Sequence, residues 1–171
     1  ENIQEPVFSP DNKKVAYVKD NNIFIKNLLT NKVTQITKDG KKNQIINGIT
    51  DWVYEEEFGF VRAFEWSNDS KNIAFLRFNE SQVPTFSMDM VGNQNYPDQQ
   101  VFKYPKAGEK NAVVTLHLYG VSSRETRQIA LGAYEYIPRI KWSNDANILV
   151  TTTLNRHQNN LKLHKVDDLE A

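Results

Sequence analysis

Three consecutive glutamates, Glu55, Glu56 and Glu57, are the residues of this sequence with the clearest potential for chemistry. They follow Trp52 and Tyr54, so like charges stand beside aromatic side chains that favour burial. Two carboxylates that converge can bind an α-ammonium group, which stays largely protonated near neutral pH because its free pKa is about 8. Each charge-assisted hydrogen bond of that kind contributes about 1.5–3 kcal/mol. The triplet is therefore a candidate site for a cationic ligand.

Two other interpretations of the triplet stay open when only the residues are considered. Thr50 or Asp51 could cap a short helix, in whose first turn the helix dipole favours negative charge, and the glutamates would then form a solvated cap. A calcium ion would need six to eight oxygen ligands, and no D-x-D-x-D-G pattern supplies them. The pattern predicts one short helix near residues 51–57.

Composition excludes several classes of protein. The chain has 171 residues, enough for one domain with a sizeable core, and its 21 Lys and Arg balance 21 Asp and Glu. Without a basic stripe, a nucleic-acid partner is not expected. No apolar run reaches the roughly 18 residues of a membrane span. There are no cysteines, and His157 and His164 are seven residues apart on opposite faces of a predicted strand, so neither a disulfide nor a metal site is predicted. No cofactor is predicted either.

An internal repeat indicates the architecture that must position the glutamates. The segments VFSPDNKKVAYV, FEWSNDSKNIAFL and IKWSNDANILVTT align on Ser9, Ser67 and Ser143. Each contains a strand, an Asp-containing turn and a second strand, and further alternating strands follow. Four short antiparallel strands per unit are typical of a β-propeller blade. We therefore predict an all-β fold, a partial β-propeller with units at about 1–47, 60–135 and 136–171; a β-sandwich with long loops is the alternative.

The spacing of the repeat predicts two insertions. The serines are 58 and 76 residues apart, and a plain blade takes roughly 40–50 residues. The first insertion, between the fourth strand of one unit and the first strand of the next, carries the glutamates. The second includes residues 93–111, which are rich in Pro, Gly and Asn. Both ends of the sequence fall close to predicted strands, so we expect a portion of a larger protein.

Three stretches carry a resemblance to a known family: NGITDWVYEEEF, WSNDSKNIAFLRFNESQVPTFSM and YPKAGEKN. They resemble the β-propeller of dipeptidyl peptidase IV, a serine peptidase of the prolyl oligopeptidase type, over essentially the whole chain. DWVYEEE is specific to that family, whereas the WS-x-D repeat is common to many propellers. The resemblance implies cleavage of N-terminal dipeptides, preferably after proline, by a Ser-Asp-His triad on a C-terminal α/β-hydrolase domain. It also implies that Glu56 and Glu57 bind the substrate's free amino group, and it leaves Glu55 out.

The resemblance implies features outside the glutamate site as well. No G-x-S-x-G nucleophile motif is present, so we expect this chain to contain no catalytic residues and to have no peptidase activity by itself. Family members are commonly homodimers, and the stretch from Thr85 to Gly108 matches the arm that joins their interface. An extracytoplasmic location is implied by the resemblance alone. The alternative function is that of a non-catalytic binding or scaffold module, because a propeller fold does not settle function.

Overall fold

Antiparallel strands make up most of the fold, and the computed structural model describes residues 2–167 and 169. The first sheet pairs four strands in chain order: β1 (Gln4–Phe8), β2 (Lys14–Lys19), β3 (Asn22–Asn27) and β4 (Val33–Gln35). The second sheet contains β5 (Ile45–Asn47), β6 (Phe64–Trp66), β7 (Asn72–Asn79), β10 (Val113–Gly120) and β11 (Thr126–Ile129). The third sheet contains β12 (Tyr136–Trp142), β13 (Leu149–Leu154) and β14 (Leu161–Val166). The ribbon β8 (Thr85–Met90) with β9 (Asp98–Lys103) and the helix α1 (Trp52–Glu57) complete the set.

The repeated serine explains why each unit turns sharply after its first strand. Ser9 Oγ donates to Asp11 Oδ1 over 2.6 Å and accepts the N–H of Lys14 over 3.0 Å. In the second unit, Ser67 Oγ donates to Asp69 Oδ1 over 2.7 Å and accepts an N–H five residues later. These side chains satisfy the backbone groups of the turn, so the chain reverses into the second strand of the sheet.

Neighbouring sheets contact each other through their first strands. The indole N–H of Trp66 on β6 donates to the carbonyl of Val7 on β1 over 3.3 Å, and the indole of Trp142 on β12 donates to the carbonyl of Glu65 on β6 over 3.1 Å. Buried side chains from all three sheets form one continuous apolar cluster. Successive sheets with this strand order and this repeated contact form a partial β-propeller, as the sequence predicts, and the β-sandwich alternative is wrong.

The structure corrects the predicted position of the first insertion. We expected it between two units, but β5 and β6 both pair with β7, opposite residues 77–79 and 73–75 respectively. The insertion therefore interrupts the first strand of the second sheet, whose two parts are β5 and β6. We expected β5 in the first unit, but it belongs to the second unit. The chain leaves at Gly48 and returns at Ala63, whose N–H donates to the Gly48 carbonyl over 2.9 Å.

Gly48 marks the point where the insertion leaves the sheet. Its φ of +77° is in the left-handed region that favours glycine, and a Cβ there would lie 2.6 Å from the Ile23 side chain on β3. Beyond it, Ile49 pairs with Arg62 and the N–H of Thr50 donates to the Val61 carbonyl over 2.9 Å. A short two-stranded stem thus carries α1 away from the sheet.

Candidate functional site

Helix α1 begins and ends at residues whose contacts satisfy its terminal backbone groups. Asp51, not Thr50, is the N-cap, and its Oδ1 accepts the N–H of Tyr54 over 3.1 Å. Thr50 instead donates its hydroxyl to the Phe60 carbonyl across the stem over 2.9 Å. Phe58 is the C-cap, and its N–H donates to the Tyr54 carbonyl over 3.2 Å. The predicted short helix is confirmed, and it has six residues.

The glutamates occupy different electrostatic positions along this helix. Glu55 lies in the first turn, where the partial positive charge of the helix amino end stabilises a carboxylate. Glu56 and Glu57 lie at the other end, where the unpaired carbonyls place partial negative charge, and no basic residue stands in the last turn. Helix capping therefore explains Glu55, but it leaves the other two carboxylates unfavourably placed.

All three glutamates are exposed, which differs from the partly buried site that the aromatic neighbours suggest. Among the residues that the structure describes, none forms a hydrogen bond or ion pair with the side chains of Glu55, Glu56 or Glu57. The aromatic rings face inward, and Tyr54 packs against Phe58 and Phe78 with ring centroids 4.9 and 4.8 Å apart. The helix thus buries its aromatic face and leaves its carboxylates free to accept hydrogen bonds from a ligand.

The surroundings of the helix supply positive and aromatic groups close to Glu57. A cavity of about 320 Å³ is bordered by Glu57, Tyr104, Tyr136 and Arg156. The charge of Arg156 is already matched, because its Nη1 lies 3.0 Å from Glu135 Oε1. Lys106 also borders this cavity, but no cation among the described residues pairs with Glu57, so that carboxylate is open to a ligand cation.

Two carboxylates near the helix, Asp51 and Glu80, are buried, and the sequence predicts a role only for Asp51, as a helix cap. Burial raises the pKa of Asp51 to about 6. Burial and the charge of Asp51 raise the pKa of Glu80 to about 7, against the opposing charge of Lys103. Glu80 ends the strand region that precedes the ribbon, and with Asp51 and Glu55 it borders a cavity of about 480 Å³. Their spatial proximity depends on strand pairing, which no local sequence spacing reveals.

The ribbon of β8 and β9 is joined to the helix by aromatic contacts. The rings of Trp52 and Tyr104 lie 4.4 Å apart, and Phe86 and Phe102 pack on Tyr104 at 5.6 and 6.3 Å. Towards the tip, the apolar side chains of Met90, Val91 and Tyr96 are exposed. The stretch from Thr85 to Gly108 thus contains a projecting two-stranded element whose base contacts α1.

Other kinds of site find no support in the described part of the chain. No group of three or more His, Asp or Glu side chains there is arranged to hold a metal ion. His164 instead lies 2.8 Å from the hydroxyl of Thr153 on the neighbouring strand. Over residues 2–167 and 169, no helix has the length and apolar character needed to cross a membrane.

Comparison with known proteins shows that the chain is similar to part of the sequences of dipeptidyl peptidases. The Aspergillus niger dipeptidyl-aminopeptidase B is 38% identical over 182 aligned residues, which cover 96% of this chain and 20% of that protein. The crystal structure of Porphyromonas gingivalis dipeptidyl peptidase 4 matches 98% of this chain and 24% of its own length, with a TM-score of 0.94 and 47% identity. This chain therefore spans about a fifth of the length of that relative and a quarter of that structure.

The family model for the dipeptidyl peptidase IV N-terminal region matches residues 1–171, the full length of the sequence. The resemblance carried by the glutamate stretch, the repeat and the ribbon region is thereby confirmed at the level of the family. With the propeller sheets and the inserted helix on the same chain, this match shows that the chain belongs to the dipeptidyl peptidase IV N-terminal region family.

Proposed function

We propose that this chain is the substrate-gating propeller portion of a dipeptidyl peptidase IV-like serine exopeptidase that removes N-terminal X-Pro dipeptides. Glu56 and Glu57 bind the N-terminal ammonium of the substrate. One observation carries the proposal: two adjacent exposed carboxylates at the carboxyl end of α1 have no partner among the residues that the structure describes, and the helix dipole opposes them there. A bound ammonium would supply the missing positive charge.

The position of the helix supports a gating role. The stem begins and ends within the first strand of the second sheet, and in this propeller the first strands are also where neighbouring sheets meet. A substrate peptide ends at its N-terminal amino group. If α1 binds that group, no substrate residue lies beyond the helix. The helix would accept only substrates with a free amine. A fixed distance from α1 to a catalytic domain would then set the cleaved bond two residues from the N-terminus, so that a dipeptide is released.

Substitution of each glutamate in the full-length protein tests the ammonium site. Glu56→Gln and Glu57→Gln should each lower kcat/KM for a Gly-Pro amide substrate by roughly 30- to 1000-fold, the equivalent of about 2–4 kcal/mol for a lost charge-assisted contact. Glu55→Gln is the matched control, because it removes the same charge from the helix end where the dipole already stabilises it. It should change kcat/KM by less than about threefold, since it loses no ligand contact.

Two results would contradict this assignment. Equal losses at all three positions would indicate a defect in folding rather than loss of a ligand contact. Unchanged turnover in the Glu56 and Glu57 variants would favour the alternative of a non-catalytic binding or scaffold module. Circular dichroism of each variant separates a folding defect from a binding defect.

We further propose that the full-length protein is a homodimer that uses the stretch from Thr85 to Gly108, and that it acts on peptides outside the cytoplasm. The exposed strand β8 and the apolar residues near the ribbon tip support the first point. A two-stranded ribbon is marginally stable alone in water, so contact with a second copy would stabilise it. The location follows from the proposed substrates and family membership.

A further inference from the structure

The side chain of Tyr54 joins the glutamate helix to the next sheet. Only 2% of Tyr54 is exposed, and its hydroxyl oxygen accepts the backbone N–H of Ile137 on β12 over 2.8 Å. The pairing of β12 with β13 is irregular between Tyr136 and Arg139, and Ile137 falls within that irregular stretch. The Ile137 N–H is therefore directed to a side chain on α1, 83 residues earlier in the chain.

Arg139, two residues further along β12, contacts the other end of the same helix. Its Nη2 donates to the carbonyl of Phe58, the C-cap of α1, over 2.9 Å. Its Nη1 donates to the Pro138 carbonyl over 2.6 Å, and its guanidinium lies 5.1 Å from the centre of the Phe60 ring. Strand β12 thus contacts α1 at two points, the hydroxyl of Tyr54 and the carbonyl of Phe58 at the carboxyl end.

A six-residue helix needs such contacts because it is too short to be stable by itself. Electrostatics favour its carboxyl end least, because two carboxylates lie there at the negative end of the helix dipole. The positive charge of Arg139 at the Phe58 carbonyl complements the helix dipole at that end. Contacts with β12, as well as the hydrogen bonds of the helix itself, thus hold the backbone that carries Glu56 and Glu57.

We infer that Tyr54 and Arg139 are positioning residues that fix the place of Glu56 and Glu57 relative to the substrate ammonium. This inference rests on the proposed function. Neither residue belongs to the pair that contacts the ligand; each acts through the backbone of α1. A displacement of 1 Å in a group that orients a substrate can cost roughly 100-fold in rate, so small shifts of this helix would be measurable.

The test compares two substrates in the full-length protein. One is an Ala-Pro amide, and the other is the propionyl-Pro amide, which has the same shape but lacks the ammonium. The ratio of their kcat/KM values measures recognition of the amine. Tyr54→Phe and Arg139→Gln should each lower this ratio by roughly tenfold, since helix displacement weakens the ammonium contact, while turnover of the propionyl substrate stays unchanged. Unchanged turnover of that substrate also shows that the variant is folded.

Matched controls remove the same kinds of group from residues that form no hydrogen bond with α1. Tyr134→Phe deletes a hydroxyl that donates to the Val114 carbonyl over 3.0 Å. Arg77→Gln breaks an ion pair with Asp39, in which Nε and Oδ2 are 2.8 Å apart. Neither control should change the ratio of the two substrates. A similar change in the control variants would show that the ratio responds to general destabilisation, and the inference would be overturned.

A double-mutant comparison separates the inference from the proposed function. In a Glu56→Gln, Glu57→Gln background, adding Tyr54→Phe should leave the ratio unchanged, because residues that act through one another are not additive. If the glutamate variants lower the ratio of the two kcat/KM values but Tyr54→Phe and Arg139→Gln leave it at the wild-type value, the inference alone is overturned. If the glutamate variants themselves keep the wild-type ratio, the proposed function is overturned and the inference with it. Arg139 is exposed, so Arg139→Gln provides the test should Tyr54→Phe fail to fold.

Discussion

Asp51 has two roles at the base of the glutamate helix, and they have opposite pH dependence. As the N-cap it accepts the Tyr54 N–H, which favours a carboxylate. As a buried group, with 7% of its surface exposed, it loses hydration when ionised, and this larger effect raises its pKa to about 6 from the ordinary value of 3.8. The charge of Asp51 in turn helps burial to raise the pKa of its neighbour Glu80, and the positive charge of Lys103 opposes that rise.

Replacement of Asp51 by asparagine keeps the cap and removes the titration. The folded protein holds the proton on Asp51 up to about pH 6, whereas the unfolded chain releases it near pH 3.8. The folded state therefore binds more protons between these values, so this group's contribution to the free energy of unfolding falls as pH rises through them. We expect Asp51→Asn to match the wild type near pH 3 and to be more stable by roughly 1–3 kcal/mol at pH 8. Denaturant unfolding at the two pH values measures the difference.

Asp51→Ala is the control for the cap itself. It removes both the charge and the acceptor, so it should be less stable than Asp51→Asn by about 1 kcal/mol at both pH values. A wild type that gains stability over Asp51→Asn as pH rises would show that the ionised carboxylate is favoured in the folded state. That result would contradict the effect of burial described above.

At the scale of the elements, the helix could be predicted from sequence, but its place in the sheet could not. A capping residue before WVYEEE is a local signal, and Asp51 confirmed it. The strand β5 has only three residues, and their partners on β7 lie 30 to 34 residues later, so nothing local assigns β5 to the second sheet. Arg139 was missed for the same reason, since an exposed arginine 81 residues from Phe58 has no spacing that links it to the helix.

The resemblance implies an arm from Thr85 to Gly108, and the structure shows which apolar side chains of that ribbon are packed against its base. Phe86 pairs with Phe102, and both border a cavity with Trp52 at the ribbon base. Val101 pairs with Ser87, so it faces away from Phe86 and Phe102. Partner contacts are therefore expected nearer the tip and on the Val101 face, rather than through all the apolar residues together.

Replacement of residues 86–102 by a short Gly-Asn turn in the full-length protein tests the ribbon as a dimer contact. We expect the mass measured by light scattering to shift from dimer towards monomer, because the exposed apolar surface of the ribbon is lost. A control that replaces only residues 92–95 keeps both strands and the exposed apolar residues Met90, Val91 and Tyr96, and it should remain dimeric. An unchanged dimer after the larger replacement would show that another surface holds the two copies together.

At the scale of the whole molecule, the repeat in the sequence corresponds to a repeat of contacts between sheets. The alignment on Ser9, Ser67 and Ser143 predicted the successive sheets because each serine closes a turn within its own unit. The contacts that join one sheet to the next were not predicted. The indole N–H groups of Trp66 and Trp142 donate to carbonyls 59 and 77 residues earlier, a separation that no local pattern reveals.

These two tryptophans give a test of how the sheets are held together. Trp66→Phe and Trp142→Phe should each lower the free energy of unfolding by about 1–3 kcal/mol, since each leaves a carbonyl without its donor and reduces the packed volume at a first strand. Trp52→Phe is the matched control: Trp52 is half-buried and contacts Tyr104 through its ring, so its loss should cost less than about 1 kcal/mol. Denaturant unfolding measures all three. Equal, small losses at the three positions would show that the indole hydrogen bonds contribute little and that apolar packing alone joins the sheets.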